Sequence, residues 1–226
     1  MRRPEQVFIG CPFRSPVRRL YDRLKEDLEA RTPLHLVLAD TTTITSTDYL
    51  LEHITRLIRD SAACLFDATG GNPNVSLEVG IAHALPVDFL LCLSTRKPPA
   101  PRSKPARSFR GGSDWVRPII TDLQGRNRIE YKTYASLRDQ AWKRYLSRLP
   151  LMKRWHEFEK DHRSFIPHAL RLFHEIRASG RTSRPRVEAL LSSSGLSTTE
   201  FTRALTHHRL VTVRRGREGG YFYSAK

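Results

Sequence analysis

From residue 7 to residue 93, two patterns of hydrophobic and polar positions alternate along the chain. Short apolar runs end in Gly, Asp or Pro and predict strands, whereas stretches with an apolar residue at every third or fourth position predict helices. The apolar runs cover residues 7–9, 34–38, 62–66 and 87–93. Strands that alternate with helices predict a parallel sheet covered by helices on both faces, a flavodoxin-like or Rossmann-like α/β domain. Ligands of such sheets bind beyond the carboxyl ends of the strands.

After the fourth apolar run the pattern changes. Residues 94–110 are rich in Pro, Lys, Arg and Ser, which predicts a long loop too polar to pack, and a gate over a site is one use for it. A short strand over residues 129–131 and a helix from Ser136 onward follow. Aromatic residues continue through residue 155 and predict helices that bridge to a second domain.

The last 60 or so residues predict a compact unit of three short helices and a β-hairpin. The third helix opens with Ser197, Thr198, Thr199 and Glu200, the spelling of a capping box. This order is that of a small winged helix-turn-helix domain. The predicted division is residues 1–149 for the α/β domain, 150–165 for a helical linker and 166–226 for the winged-helix domain. A three-helix protein-interaction domain is the alternative for the last unit.

Charge sharpens the view of that last unit. The chain carries 39 Lys and Arg against 23 Asp and Glu, a net charge of +16. Residues 151–226 hold 15 basic and 7 acidic residues, so 8 of the 16 excess charges lie there. A basic surface attracts polyanions, nucleic acid first. The predicted nucleic-acid-binding residues lie on the third helix and the wing: Arg203, Arg209, Arg214, Arg215 and Arg217.

Composition also excludes several classes of protein. No apolar run approaches the roughly 20 residues of a membrane span, and the sequence given shows no signal peptide. Cys11, Cys64 and Cys92 are odd in number and scattered, which predicts reduced, buried thiols in a cytoplasmic protein. The nine histidines show no paired metal spacing, so neither a metal nor a resident cofactor is expected.

The most informative segment is LFDATGGNPNVSLEVGIAHAL, residues 65–85. Asp67 ends a predicted strand, and the Gly70-Gly71 turn lets backbone amides approach a ligand. Asn74 lies at a helix start, where free N–H groups and the helix dipole favour an anion such as phosphate. Glu78 follows one turn later, so two carboxylates are expected to converge on one small site.

A pair of carboxylates suits the cleavage of glycosidic bonds. One of them attacks the anomeric carbon while other polar groups hold the sugar and assist the leaving group. A purely structural alternative remains at this point. Asp67 could cap the turn, and Glu78 could be an ordinary surface residue of a helix.

The chain from residue 7 to about residue 93 resembles the nucleoside deoxyribosyltransferase-like family, relatives of TIR domains with a flavodoxin-like fold. The resemblance lies in VFIGCPF near the start and in SAACLFDATGGNPNVSLEVGIAHAL. It implies that Glu78, within EVGIA, is the nucleophile and that Asp67 contacts the sugar or base. Gly10 and Phe13 match the loop that lines the nucleoside pocket, and Asn74 would lie near the ribose or phosphate.

The same resemblance implies a substrate class. Members of the family cleave or exchange N-glycosidic bonds of nucleosides, nucleotides or NAD, so NAD or a nucleotide is expected as substrate and not as cofactor. Arg14, which has no counterpart in the family, is added to the expected substrate-binding residues.

An α/β domain of this family followed by a winged helix resembles the toxic effectors of bacterial retron anti-phage systems. That resemblance implies partners: a reverse transcriptase and its DNA–RNA hybrid, the multicopy single-stranded DNA, in an oligomeric complex without a membrane. A nucleotide-sensing transcription regulator and a TIR-like module that acts by oligomerisation alone are the alternatives.

Overall fold

The computed structural model describes residues 2–13, 16–39, 47–95, 128–216 and 220–226. Its first part is a five-stranded sheet in the order β2-β1-β3-β4-β5, in which each neighbouring pair is parallel. A central parallel sheet flanked by helices confirms the predicted Rossmann-like or flavodoxin-like class. The elements of this part are β1 (Arg3–Gly10), α1 (Pro16–Glu29), β2 (His35–Leu38), α2 (Thr47–Asp60), β3 (Ser61–Asp67), α3 (Pro73–Ala84), β4 (Asp88–Ser94), β5 (Arg128–Tyr131) and α4 (Tyr134–Arg144).

The two faces of the sheet carry separate apolar clusters. Alternate residues of a strand point to opposite faces, so Val7 and Ile9 of β1 join the cluster that contains α1 and α4, whereas Phe8 joins the one that contains α3. On α1 the buried residues Tyr21, Leu24 and Leu28 recur at helical spacing, as its sequence predicts.

The second part of the chain has the winged-helix order. It contains α5 (Pro150–Asp161), α6 (Ile166–Ser179), β6 (Thr182–Ser183), α7 (Arg184–Leu191), α8 (Thr198–His207), β7 (Val211–Arg215) and β8 (Tyr221–Ala225). The three short strands form an antiparallel sheet in the order β6-β8-β7. The sequence did not predict β6, because two residues carry no periodicity. The Ser197 side chain caps α8 through the amide of Glu200, as its capping-box spelling predicts.

Helix α5, predicted as a linker, is part of the core. Its residues Leu151, Met152, Trp155 and Phe158 are buried in one continuous apolar cluster that runs from the sheet to the C-terminal helices. Where one domain ends and the next begins stays a prediction. In physical terms, α5 gives the two parts a shared apolar core instead of a solvated tether.

The C-terminal part packs against the amino ends of the sheet strands. Arg177 of α6 donates from Nη1 and Nη2 to the carbonyls of Glu29 and Thr32, at 3.2 and 2.7 Å, in the turn between α1 and β2. Gly180 lies beside the guanidinium of Arg3, the first residue of β1. These contacts lie at the amino ends of the strands, opposite the edge at which the strands end.

Within the described part of the chain, every helix is too short or too polar to cross a bilayer.

Candidate active site

A buried carboxyl group lies at the carboxyl end of β1. The Glu78 side chain, 4% exposed, extends from α3 towards Gly10, the last residue of the strand. A Cβ atom placed on Gly10 would meet Oε2 of Glu78 at 2.1 Å and Cδ1 of Phe66 at 2.6 Å. Only glycine leaves room for this approach, so the backbone of β1 and the Glu78 carboxyl are in direct contact.

One oxygen of that carboxyl group has no hydrogen-bond partner among the described residues. Oε2 of Glu78 is buried without a hydrogen-bond partner. Burial in apolar surroundings raises the pKa of Glu78 from 4.5 to about 8, because ionisation there forfeits hydration. A buried, unpaired acid costs stability, and such groups concentrate at functional sites. Glu78 is thus no ordinary surface residue of its helix.

Asp67, at the end of β3, has a different environment. Its Oδ2 accepts hydrogen bonds from the hydroxyls of Tyr21 and Tyr131 at 2.9 and 2.5 Å. Its Oδ1 accepts one from the Thr69 amide at 2.9 Å. The side chain is fully buried, and burial raises the pKa of Asp67 while these three donors act in the opposite direction.

The two carboxyl groups share one edge of the sheet but not one face of it. The tyrosines that hold Asp67 belong to the α1 side of the sheet, whereas Glu78 packs with Phe66 on the α3 side. The two carboxyl groups therefore approach that edge from opposite faces of the sheet. Alternation along β3 accounts for it: consecutive residues Phe66 and Asp67 must point to opposite faces. Burial raises the pKa of the Cys11 thiol, and the charges of both Asp67 and Glu78 add to that rise.

The turn before α3 contains the two predicted glycines, but the residue that caps the helix is Asn72 and not Asn74. Gly70 and Gly71 have φ values of 73° and 71°, the left-handed conformation that favours glycine. The helix is capped by Asn72, whose Oδ1 accepts from the amides of Asn74 and Val75. The Asn74 amide is thus occupied, and its side chain is exposed. The free N–H groups expected to bind a phosphate at Asn74 are taken by the neighbouring cap.

The loop after β1 supplies an aromatic ring, and the first turn of α1 places a cation beside it. Phe13 is half-buried, and the guanidinium of Arg18 lies 5.4 Å from the centre of its ring. Arg18 also pairs with Asp22 at 2.9 Å. Gly10 and Phe13 therefore lie at the same edge as Glu78, as predicted, and Arg14 lies outside the described residues.

The basic residues of the C-terminal domain are on its surface. Arg203 and Arg209 on and after α8, and Arg214 and Arg215 on β7, are all exposed. Arg217 lies outside the described residues. By contrast, Arg184 of α7 is paired with Glu188 at 2.9 Å. The predicted positions thus form an exposed basic surface along α8 and the hairpin.

The site could hold a small polar molecule against a proton-bearing carboxyl group. No group of three or more metal-ligating side chains occurs within the described ranges. The Cys11, Cys64 and Cys92 thiols are free and buried, as expected.

A cavity of about 340 Å³ between α1, α4 and α5 contains neither Asp67 nor Glu78 and lies towards the other end of α1.

Sequence reasoning missed the residues that hold Asp67. Tyr21 shares the periodic apolar face of α1, which indicates a core residue, and its ring is buried, but its hydroxyl reaches Asp67. Tyr131 is 64 positions away from Asp67 in sequence, and only the pairing of β5 beside β4 brings it close. A tyrosine on an otherwise apolar helix face is the one signal that pointed to a buried hydrogen-bond acceptor.

Comparison with known proteins gives little to add. No known family profile matches the chain, and no curated protein matches it. Among solved structures, a 2-desoxiribosyltransferase from Leishmania mexicana aligns with 16% identity and a TM-score of 0.36, over 42% of this chain and 68% of that chain. A likeness of that size carries no argument about this site, which rests on its own geometry.

Proposed function

We propose that the chain is an enzyme that cleaves or exchanges the N-glycosidic bond of a nucleotide or NAD, with Glu78 as the nucleophile. The observation that carries the proposal is the buried, unpartnered Oε2 of Glu78 in contact with Gly10 at the carboxyl edge of a parallel sheet. Ligands of such sheets bind at this edge. The resemblance of the segment around Glu78 to nucleoside deoxyribosyltransferases suggests which bond is broken.

The proposed reaction has two steps. The Glu78 carboxylate attacks the anomeric carbon, the N-glycosidic bond breaks, and its electron pair leaves with the base. A nucleobase takes up a proton from water, whereas the nicotinamide of NAD leaves as a neutral molecule and needs none. Water or a second base then attacks the anomeric carbon of the glycosyl ester and regenerates the Glu78 carboxylate. Asp67 accepts three hydrogen bonds and is fully buried. We therefore assign it a positioning role, in place of the expected direct contact with the sugar or base.

The first test measures release of free base. Wild-type protein is incubated with NAD and a panel of nucleosides and nucleotides, alone and assembled with its proposed partners, and products are separated by chromatography. Glu78→Gln should lose base release by at least 100-fold while its circular dichroism stays unchanged, because an amide cannot form the glycosyl ester. Glu52→Gln on the exposed face of α2 is the matched control and should keep full activity. Intact substrates with folded, assembled wild type would refute the proposal.

The pH profile tests the role of the carboxylate independently. Because burial raises the pKa of Glu78 to about 8, the nucleophilic form is scarce in the free enzyme at neutral pH. We expect kcat/KM to rise with pH and to level off above about pH 8. A fall above that pH would instead assign Glu78 as a proton donor.

The C-terminal domain is proposed to hold nucleic acid. The support is its winged-helix order together with the exposed arginines of α8 and β7. In this proposal a reverse transcriptase and its DNA–RNA hybrid bind the chain as a defence effector in a cytoplasmic, oligomeric complex. Co-expression with the neighbouring genes, followed by purification through a tag on this chain, tests it. Recovery of the chain without nucleic acid, where a reverse transcriptase is encoded next to it and expressed, would contradict this part.

A nucleotide-sensing transcription regulator is the second candidate, and the winged-helix order favours it too. A regulator needs a large ratio of specific to non-specific affinity for duplex DNA, whereas an effector held by structured nucleic acid does not. Selection of binding sites from random duplex DNA separates the two. An enriched motif together with no base release in the first test would favour the regulator. A module that works by oligomerisation alone would keep its function in Glu78→Gln.

A further inference from the structure

We propose that the ring of Tyr221 is a stacking site for an unpaired nucleobase, so that the outer half of the β-hairpin binds single-stranded nucleic acid. The inference rests on the proposed binding of nucleic acid by the C-terminal domain and adds the form of the ligand, which the exposed arginines alone do not specify. Its support is the register of the hairpin, the exposure of the Tyr221 ring and the charge beside that ring.

The hairpin buries only the inner half of one of its faces. Residues directly opposite each other in an antiparallel pair share a face, and so do residues two apart on one strand. Val213 lies opposite Tyr223 and Arg215 lies opposite Tyr221, so these four side chains lie on one face. Tyr223 is 4% exposed, whereas Val213 and Tyr221 are 41% and 43% exposed. This face therefore begins in the core and continues past it into solvent.

The aromatic rings of Tyr221 and its neighbour Phe222 have different surroundings. Phe222, on the other face, lies under the guanidinium of Arg181, 4.8 Å from the centre of its ring. A Cβ atom on Gly216 would meet Cε2 of Phe222 at 2.6 Å, so the backbone of Gly216 packs on the same ring. Within the described ranges, the Tyr221 side chain makes neither a hydrogen bond nor a ring contact. One aromatic face of the hairpin is thus closed, and the other is open.

The charge of the hairpin favours a polyanion as the occupant of the open face. Arg215 is exposed, and strand pairing places it directly across from Tyr221. On the neighbouring helix α7, Glu188 is already paired with Arg184 at 2.9 Å. Residues 211–226 hold four basic residues and one acidic residue, a net charge of +3: Arg214, Arg215, Arg217 and Lys226 against Glu218.

An exposed ring beside an arginine suits a nucleotide whose base is not paired. The base stacks on the ring while the cation binds the phosphate next to it. Inside a duplex the flat faces of the bases are covered by their neighbours, so only an unpaired base offers a free face to Tyr221. An acidic peptide would satisfy Arg215 and leave the Tyr221 ring without a planar partner. We therefore infer a single strand as the ligand.

Binding of a labelled 20-nucleotide DNA strand without self-complementarity, and of the duplex of the same sequence, tests the site by fluorescence anisotropy in the full chain. Tyr221→Ala should weaken binding of the single strand about 5- to 100-fold, the usual loss for one base that no longer stacks. Its affinity for the duplex should stay within about twofold of wild type. The slope of log K against log[salt] should not change, because no phosphate contact is removed.

Three further variants control the measurement. Tyr221→Phe keeps the ring and should bind the single strand as wild type does. Tyr221→Thr removes the ring but favours a strand, so it repeats the test if alanine weakens the hairpin. Tyr49→Ala removes a tyrosine of α2 that is 70% exposed and should leave both affinities unchanged. Circular dichroism of each variant checks its fold.

The outcomes separate the inference from the proposal beneath it. If wild type binds neither ligand, nucleic-acid binding by this domain fails. If wild type binds and folded Tyr221→Ala or Tyr221→Thr keeps its affinity for the single strand, only the stacking site is overturned. Equal losses for single strand and duplex, or a loss in Tyr221→Phe, would show a contact other than base stacking and would also overturn it. So would a labelled 20-residue poly-glutamate that loses affinity in Tyr221→Ala while the single strand does not.

Discussion

The state of the Glu78 carboxyl group links the chemistry of the site to the stability of the chain. Its pKa is raised from 4.5 to about 8 by burial, so the folded protein binds this proton more tightly than the unfolded protein does. Stability from this group is complete below about pH 4.5 and is lost as the pH rises through about 8. The site is therefore a weak point of the fold at alkaline pH.

Glu78→Gln removes that weakness. We expect the variant to match wild type in free energy of unfolding near pH 4.5 and to exceed it at pH 9, by about 1–4 kcal/mol at roughly 1.4 kcal/mol per unit of pKa. Urea unfolding of both proteins across this pH range checks the prediction. A difference that does not depend on pH would mean that the Glu78 carboxyl group is hydrated in solution.

Gly10 gives the second prediction at this scale. In Gly10→Ala the new Cβ would overlap Oε2 of Glu78 and the ring of Phe66, so we expect a loss of stability of about 1–3 kcal/mol and at least a tenfold fall in activity. Gly80→Ala is the matched control on the helix of Glu78. A Cβ at Gly80 meets no atom within 4 Å, and alanine favours the helix by up to about 1 kcal/mol. Urea unfolding and base release measure both variants, and equal behaviour of the two would contradict the contact.

The sequence could predict Glu78 but not its surroundings. Asp67 is the last residue of β3, and Glu78 lies in the first half of α3, so both are placed at the carboxyl edge of the sheet. Which face of the sheet each one uses depends on the exact register of β3, and a shift of one residue exchanges the faces. The partners of Asp67 come from α1 and β5, and their approach is set by the order of the strands, which no local pattern encodes.

Among the elements, α3 depends on its cap. Asn72 satisfies two amides of the first turn, and Pro73 follows it as the first residue of the helix, so the start of α3 is set at this point. Asn72→Ala should destabilise the protein by about 1 kcal/mol, because those amides lose their acceptor. Asn74→Ala, an exposed position in the same turn, should change stability by less than about 0.5 kcal/mol. Thermal unfolding of the two variants at pH 7 gives the comparison, and a larger loss in Asn74→Ala would reverse the assignment of the cap.

The strands and long helices of the α/β part follow from periodicity, and the element that did not is α5. Its sequence alternates aromatic and charged residues at helical spacing, which indicates a helix but not what covers it. Trp155 packs against Phe158 and Phe173, with ring centres 5.6 and 6.1 Å apart, and so joins α5 to α6. Because α5 buries apolar residues against both sides of the predicted domain boundary, it is part of the core and not a linker.

For the whole molecule, Arg177 is the polar contact that joins the two parts. Arg177→Met removes its bonds to the carbonyls of Glu29 and Thr32 and should cost about 1–3 kcal/mol. The loss should be larger at pH 8 than at pH 5, because burial already raises the pKa of Glu5 and the charge of Arg177 acts against that rise. Arg171→Met, at an exposed position of the same helix, is the control. Urea unfolding at the two pH values measures the loss of stability. A loss that is the same at both pH values would show that Glu5 does not contribute to it.

Strand β1 has one end at the C-terminal domain and the other at Glu78. Its eight residues span about 25 Å at roughly 3.3 Å each, so the nucleic acid proposed for that domain and the nucleotide proposed at Gly10 would lie towards opposite ends of the sheet. A partner proposed to silence the activity from the C-terminal side would therefore act through the packing of β1 and α1, and not by covering Glu78 directly.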